Sequence, residues 1–518
     1  MRFLRQGMVA ALLVGGLGLA TTTAQAAPFH SDNVSLVTKL PEAAGAASAR
    51  FSPDGKVLYV STWKGLLLYD VSKPADPQRL ALLPLPHFEN EDVDAGNGIV
   101  IVSNDPSEGA GIIYVIDVSD PSAPRIRSTF RNGFQSKVGS VLAPLSEGAG
   151  NTGHIANCLQ GCQWLWLTGT AEGVEVVDLR DPDHPKFVGL VPMPVAKGQT
   201  KPGFTHDVFV DRSGIGWVTG QDGTFGFDTA DPAHPKLIYR SDEDVVNATR
   251  GGGPGTPEEN TAANGEPLNF LHHNSIRTEI RLAPEPAVAV AKPKAKKKRA
   301  KPCAKKHGKA KKRCLKKHRR AQKKAKAKPR TTLGGLGDVL AVTEEDYLRP
   351  GCNGQGSLQT WQIVPAEHNS DGTTKLKLLD LWTTELNELQ NQTGRTGADG
   401  QTPTTVNCSA HWFDEHDGML AQGWYDQGVR FMDISNPTDI KQAGYWVTQG
   451  TFWGAYYSPI DPSVVYALDV TSGIDVLKFD RGAPQARTIP VWDQAKIQAQ
   501  RTAAPTPSSE WGLACPLL

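Results

Sequence analysis

The sequence predicts an all-β fold, a seven-bladed β-propeller of four-stranded blades whose ring is closed by an N-terminal strand. Three observations lead there. First, one unit recurs: a glycine, an apolar strand running to an aspartate, a turn containing proline, and a further strand. It reads GLLLYDVSKPADPQRL (65–80), GIIYVIDVSDPSAPRI (111–126), GVEVVDLRDPDHPKFV (173–188), GTFGFDTADPAHPKLI (223–238) and GVRFMDISNPTDIKQA (428–443), with degenerate copies at 356–364 and 473–480. Second, two more short strands precede each glycine. Third, no helical period of comparable length interrupts them. Four short strands repeated at intervals of about 42 to 60 residues, where no insert intervenes, are the mark of propeller blades.

Each element follows from local chemistry. The strand nearest the axis opens each unit, as in ARFSPDG, HDVFVDRSG, HHNSIRT and AHWFDEHDG. A second strand follows (VLYVST, GIVIVSN, WLWLTG, DVLAVTEED, VVYALD), then the glycine and the third. Alternating apolar residues bounded by Gly and Asp-Pro turns specify strands. The last unit has only a weak fourth strand, and NVSLVTKLP (33–41) has the pattern of one. It is expected to complete the last blade. The repeated Asp70, Asp117, Asp178, Asp228 and Asp433 invite a catalytic reading. An aspartate ahead of a turn caps its own backbone, however, and a residue repeated in most units is a turn former. His184 and His234 lie in the same turns and receive the same reading.

The strand-Asp-Pro unit, in YVIDVSDPSAP and VEVVDLRDPDHP above all, resembles the LVIVD-repeat family of secreted bacterial propellers over roughly residues 33–480. That resemblance implies a propeller fold and little about activity.

Other segments bound the propeller, expected over 33–480. Residues 1–26 read as a cleaved signal peptide: Arg2 and Arg5, an apolar run over 8–20 too short to span a bilayer, and AQA before a mature start near Ala27. The expected location is therefore extracellular or the cell envelope, with no membrane span. Residues 292–330 carry 22 Lys and Arg and no Asp or Glu; removing them from 55 leaves 33 basic against 54 acidic residues, a balance of −21. This insert, within 286–337 in the fifth unit, has almost nothing apolar to bury and is expected to be disordered. Its expected partner is an envelope polyanion. It has no interleaved aromatics for base stacking, so no sequence-specific nucleic acid is expected, and the chain is expected to be a monomer. Residues 481–518 form a tail. Export permits disulfides: Cys158 and Cys162 could close a tight loop, and Cys352 and Cys408 could pair.

The axis-facing strand starts carry polar residues that differ from unit to unit: Glu91 and Asp92, His154, His206 and Asp207, His272 and His273, and His411. Loops at the same end hold Glu344, Glu345, Asp346 and Tyr425. Neighbouring strand residues face opposite ways. Aligning FLHHNS with FTHDVF makes His273 the axial member of its pair and turns His272 toward blade packing or the rim. Four imidazoles at one depth, His154, His206, His273 and His411, could hold one copper, zinc or iron ion at the channel mouth, with Glu345 or Glu91 as acid or base. Two functions remain open: a binding or scaffold module with a polar His-lined channel, and a metal-dependent oxidase or hydrolase. No G-x-S-x-G, P-loop or dinucleotide fingerprint occurs.

Overall fold

The computed structural model describes residues 28–85, 90–104, 112–131, 153–169, 173–196, 202–249, 271–282, 335–345, 356–384, 409–448 and 450–483. The signal segment, the basic insert, the end of the tail, Asp346, Cys352 and Cys408 lie outside these residues.

The described chain is a succession of four-stranded antiparallel arrays in sequence order. The first runs Ala46–Phe51, Val57–Thr62, Gly65–Asp70 and Gln78–Pro84, each strand paired with the next. The arrays beginning at Asp92–Gly96 and Ala156–Leu159 repeat this order. The two beginning at Thr205–Val210 and Leu271–Arg277 merge into one eight-stranded sheet, because their outer strands Lys236–Ser241 and Thr374–Trp382 pair in parallel. The array beginning at Phe413–His416 gains a fifth strand, Phe29–His30. In the array of Phe452–Tyr457, Val464–Asp469 and Gly473–Phe479, the fourth strand is Val34–Leu40, from the other end of the chain. One short helix, Glu243–Thr249, follows the fourth array.

The core lies between the sheets. Leu66, Leu68 and Tyr59 pack with Val100, Val102 and Tyr114 of the next array. Similar apolar clusters fill the successive interfaces, and Leu58, Val60 and Tyr69 of the first array pack with Tyr466, Leu468 and Val476 of the last. Both faces of the second and third strands are thus covered, which is why IVIVS and VVYALD are nearly continuous apolar runs. Inner strands touch their neighbours in chain order, from Ala46–Phe51 to Asp92–Gly96 and onward, and Phe452–Tyr457 touches Ala46–Phe51. This is β-propeller architecture.

The repeated turn has two uses. Its aspartate accepts the backbone N–H two residues on at 2.8–3.0 Å in Asp70, Asp117, Asp178, Asp228 and Asp433. A proline carbonyl of the turn accepts a hydrogen bond from the preceding array: Pro74 from Tyr466, Pro182 from Ser128, Pro232 from Trp166 and Pro437 from Thr360. The catalytic reading of these aspartates has no support in this geometry.

The glycine that opens the third strand is required by close approach. At Gly65 (φ +134°) an added Cβ would lie 2.1 Å from the carbonyl oxygen of Leu83, and at Gly473 (φ +100°) 2.1 Å from that of Leu40. Gly65→Ala and Gly473→Ala should each lose roughly 2–4 kcal/mol, from the left-handed backbone and the overlap together. Gly189→Ala, whose Cβ meets nothing within 4 Å, should be nearly neutral. Urea unfolding midpoints check all three.

Candidate metal centre

The axial side chains are set in height by a hydrogen bond that recurs between arrays. A hydroxyl on the second strand of one array donates to the backbone carbonyl of the axial residue of the next. Ser61 bonds Glu91 at 3.4 Å, Ser103 bonds His154 at 2.7 Å, Thr168 bonds His206 at 2.6 Å and Thr219 bonds His273 at 2.5 Å. Pairing slips between Thr205 and Val208 and between His272 and Ser275, so His206 and His273 sit in bulges that turn them to the axis. His154 and His411 reach it from the residues just before Ala156–Leu159 and Phe413–His416. The first and last arrays place Ala47 and Trp453 at the corresponding slips.

Four imidazoles consequently pack in a row. Ring centroids are 4.4 Å apart for His154 and His206, 4.3 Å for His206 and His273, and 4.1 Å for His273 and His411. His154 Nε2 and His206 Nε2 are 2.9 Å apart, within hydrogen-bond distance. Glu345 lies against the row: its Oε2 is 3.5 Å from His206 Nε2 and 3.8 Å from His273 Nε2, and its Oε1 is 3.8 Å from His411 Nε2. The Tyr425 hydroxyl donates to Glu345 Oε1. His206, His273 and Glu345 each offer a ligand atom, all within 4.8 Å of one another. All four histidines and Glu345 are fully buried. Burial holds His154 down to about 3 and holds His206, His273 and His411 well below the ordinary imidazole value, with neighbouring histidines adding to the effect. The rings are therefore neutral, the form that ligates metals.

His411 shows what this arrangement needs. Its Nδ1 lies 2.7 Å from the carbonyl oxygen of Trp453. A carbonyl only accepts, so Nδ1 carries the proton and Nε2 presents a lone pair. That lone pair faces a Glu345 oxygen. The two acceptor atoms face each other in a fully buried site, and His411 Nε2 has no hydrogen-bond partner. A cation bound there would satisfy both atoms. The 2.9 Å between the nitrogens of His154 and His206 also suits adjacent ligands on an ion with bonds of about 2.0–2.1 Å.

Sequence reasoning is corrected in several places. The cluster is not at an open channel mouth but sealed from solvent. Glu345, expected as an acid or base, stands among the ligand atoms instead. Tyr425, expected at the rim, reaches into the cluster and orients Glu345. His272 turns away, bonding Thr224 Oγ1 at 2.8 Å and packing on Trp361. Glu344 turns away as well, accepting Ser357 Oγ at 2.8 Å. Glu91 is buried but outside the metal-sized group. Asp92 and Asp207, expected at the rim, line a cavity one residue further along their strands. Burial raises them, Asp92 to about 6 and Asp207 to about 7. Cys158 and Cys162 are joined by a disulfide at the turn of their hairpin. The missed signal is the Ser or Thr ending the second strand, visible in VLYVST, IVIVSN, WLWLTG and GWVTG.

Residues 110–131, covering the outer two strands of the second array, match the family described as LVIVD repeat. No curated protein matches the chain. Among solved structures, the chain is similar to the beta-propeller domain of Cps50 (Swd1) from Myceliophteria thermophila, with 10% identity over 86% of this chain and 100% of that one, at a TM-score of 0.44. It is also similar to putative 6-phosphogluconolactonases from Bacteroides uniformis (10% identity, 77% and 85% covered, TM-score 0.41) and Bacteroides fragilis (9%, 84% and 95%, 0.42). Among the described residues no helix is long and apolar enough to cross a membrane.

His272 isolates the pH behaviour of these buried rings. Burial lowers it to about 3, so between pH 6.5 and 3 the unfolded chain binds a proton that the folded chain refuses. Its presence should cost stability as pH falls through that window, by about 1.4 kcal/mol per pH unit. His272→Leu should flatten the acid limb of the stability curve by that amount. Urea unfolding at pH 7, 6 and 5 measures it.

Proposed function

We propose that the protein is an exported, seven-bladed β-propeller binding module whose axis is clamped by one transition-metal ion held by His206, His273 and Glu345, with His154 and His411 at its flanks. The seven four-stranded arrays form the blades, and Val34–Leu40 closes the ring as the outer strand of the last. The observation that carries the ion is the convergence of ligand atoms from His206, His273 and Glu345 within 4.8 Å of one another, all fully buried. Imidazole and carboxylate together suit zinc, copper or iron. Full burial of every contributing side chain favours a closed, structural ion over a catalytic one, which keeps a position open to water or substrate. The scaffold reading therefore stands ahead of the oxidase or hydrolase reading. The Lys/Arg-rich residues 291–330 supply the contact to an envelope polyanion, and the segment 1–26 supplies export.

Protein purified without a polyhistidine tag should contain one equivalent of zinc, copper or iron by elemental analysis. His273→Ala and Glu345→Gln should each lose it, and removing it with a chelator should lower the melting temperature of the wild type and leave the variants unmoved. Absence of metal from wild-type protein after supplementation with all three ions would sink this reading.

Deleting 291–330 should leave the melting temperature unchanged. It should abolish the salt-dependent part of binding to an anionic polymer such as heparin, whose logarithmic slope against salt reports the number of contacts. An unchanged slope removes the polyanion reading.

A further inference from the structure

Beyond the histidine layer, at the end of the axis where the turns between first and second strands gather, lies a cavity of about 710 Å³. Its wall includes Asp92, Asp207, Asp414, Arg50, Trp412 and Tyr456. The charges do not balance. Arg50 is committed to Asp94, donating to it at 2.6 Å. The other two arginines of the wall are matched as well, Arg212 by Glu279 and Arg277 by Asp211 at 3.9 Å. The three carboxylates take their hydrogen bonds from neutral donors and share the field of the single Arg50. Asp207 accepts Trp412 Nε1 at 2.9 Å, Asp92 accepts Ser48 Oγ at 2.8 Å, and Asp414 accepts the backbone N–H groups of Glu415 and Tyr457 at 2.8 and 3.0 Å.

A second observation is independent of these acids. Ser275 Oγ and the Tyr457 hydroxyl belong to residues that line the same cavity, are 2% and 4% exposed, and have no hydrogen-bond partner. Buried hydroxyls without partners are costly, and such groups in a cavity wall mark where a ligand bonds.

We propose that this cavity is the binding site for a small organic cation, an ammonium or guanidinium carried on an apolar body. The volume lies in the range of small-molecule sites, roughly 300–1,000 Å³. Asp92, Asp207 and Asp414, from three different blades, supply carboxyl oxygens whose ionised form a bound cation favours, and Trp412, Tyr456, Phe51 and Phe209 supply apolar and π faces for the body and the cation. A bare metal ion fits less well, because the only metal-sized group among the described residues is the one containing His206, His273 and Glu345. An anion is opposed by the wall itself. The site stands apart from the proposed metal centre, and its occupancy does not require that ion.

The test uses full-length protein and three probes of similar shape: tyramine, 4-ethylphenol and 3-(4-hydroxyphenyl)propionate. Calorimetry should show saturable one-to-one binding of tyramine, binding of 4-ethylphenol at least tenfold weaker, and no binding of the carboxylate. Asp207→Asn and Asp414→Asn should each weaken tyramine tenfold or more while unfolding cooperatively. If either variant does not fold, the other decides, and the comparison of the three probes on the wild-type protein stands without them. The proposal is overturned by equal affinity for tyramine and 4-ethylphenol, by unchanged affinity in a folded Asn variant, or by no saturable binding of tyramine.

Discussion

A hydroxyl bonded to a neighbour's backbone is the constraint on which the axis depends. Ser61, Ser103, Thr168 and Thr219 each reach from the end of a second strand to the carbonyl of the next array's axial residue. Apolar packing between sheets is directionless and tolerates sliding; these bonds do not. They tie Glu91, His154, His206 and His273 each to the preceding array, so side chains separated by 52 to 67 residues in sequence are set at corresponding positions around the axis. A slip of one array by a single residue would turn its axial side chain into the packed interface. The bulges at His206 and His273 and the hydroxyl bonds act together, since a bulge frees the carbonyl that the hydroxyl then takes.

Concentrating polar groups in this way is costly. Four imidazoles and a carboxylate lose their water, and the imidazoles respond by holding their neutral form. A neutral histidine whose Nδ1 is committed to the Trp453 carbonyl has only a lone pair to show to Glu345. Tyr425 meanwhile donates to the same carboxylate from a left-handed backbone position, φ +36°, a conformation that costs a bulky residue of order 1 kcal/mol or more. Strain, dehydration and facing lone pairs converge on one point. The proposed shared cation would compensate all three at that point.

Much of this was legible in the sequence. Gly and Asp-Pro punctuation located the strands, the missing outer strand of the last unit pointed to residues 33–41, and comparison of FLHHNS with FTHDVF chose His273 over His272. Glu345 was singled out over Glu344 and Asp346, though as an acid or base, and parity contains part of the reason. Glu344 pairs with His272 across the ladder, so if His272 faces away from the axis Glu344 does too. The bulges were not legible, because they arise where ring geometry conflicts with strand register rather than from any residue type. The parallel joining of Lys236–Ser241 to Thr374–Trp382 was not legible either, since both are outer strands and nothing in either names the other. The cavity carboxylates escaped for a related reason: Asp207 and Asp414 stand one and three residues past the axial histidines, and only the ring brings them together.

The two ends of the axis therefore differ in kind although one set of strands builds both. Moving one residue from His206 to Asp207, or from His411 to Trp412, passes from a sealed layer of neutral imidazoles to the wall of a cavity whose cations are already matched. The bulge makes this change of chemistry possible over so short a distance. In a regular strand consecutive residues face opposite ways, whereas at a bulge two neighbours can both approach the axis at different depths. His206 and Asp207 do so, as do His273 and Asn274. Binding at the open end can thus vary by substitution at the second position without disturbing the first. On the proposed reading, the sealed layer keeps the blades in register and the acidic layer beside it selects the ligand.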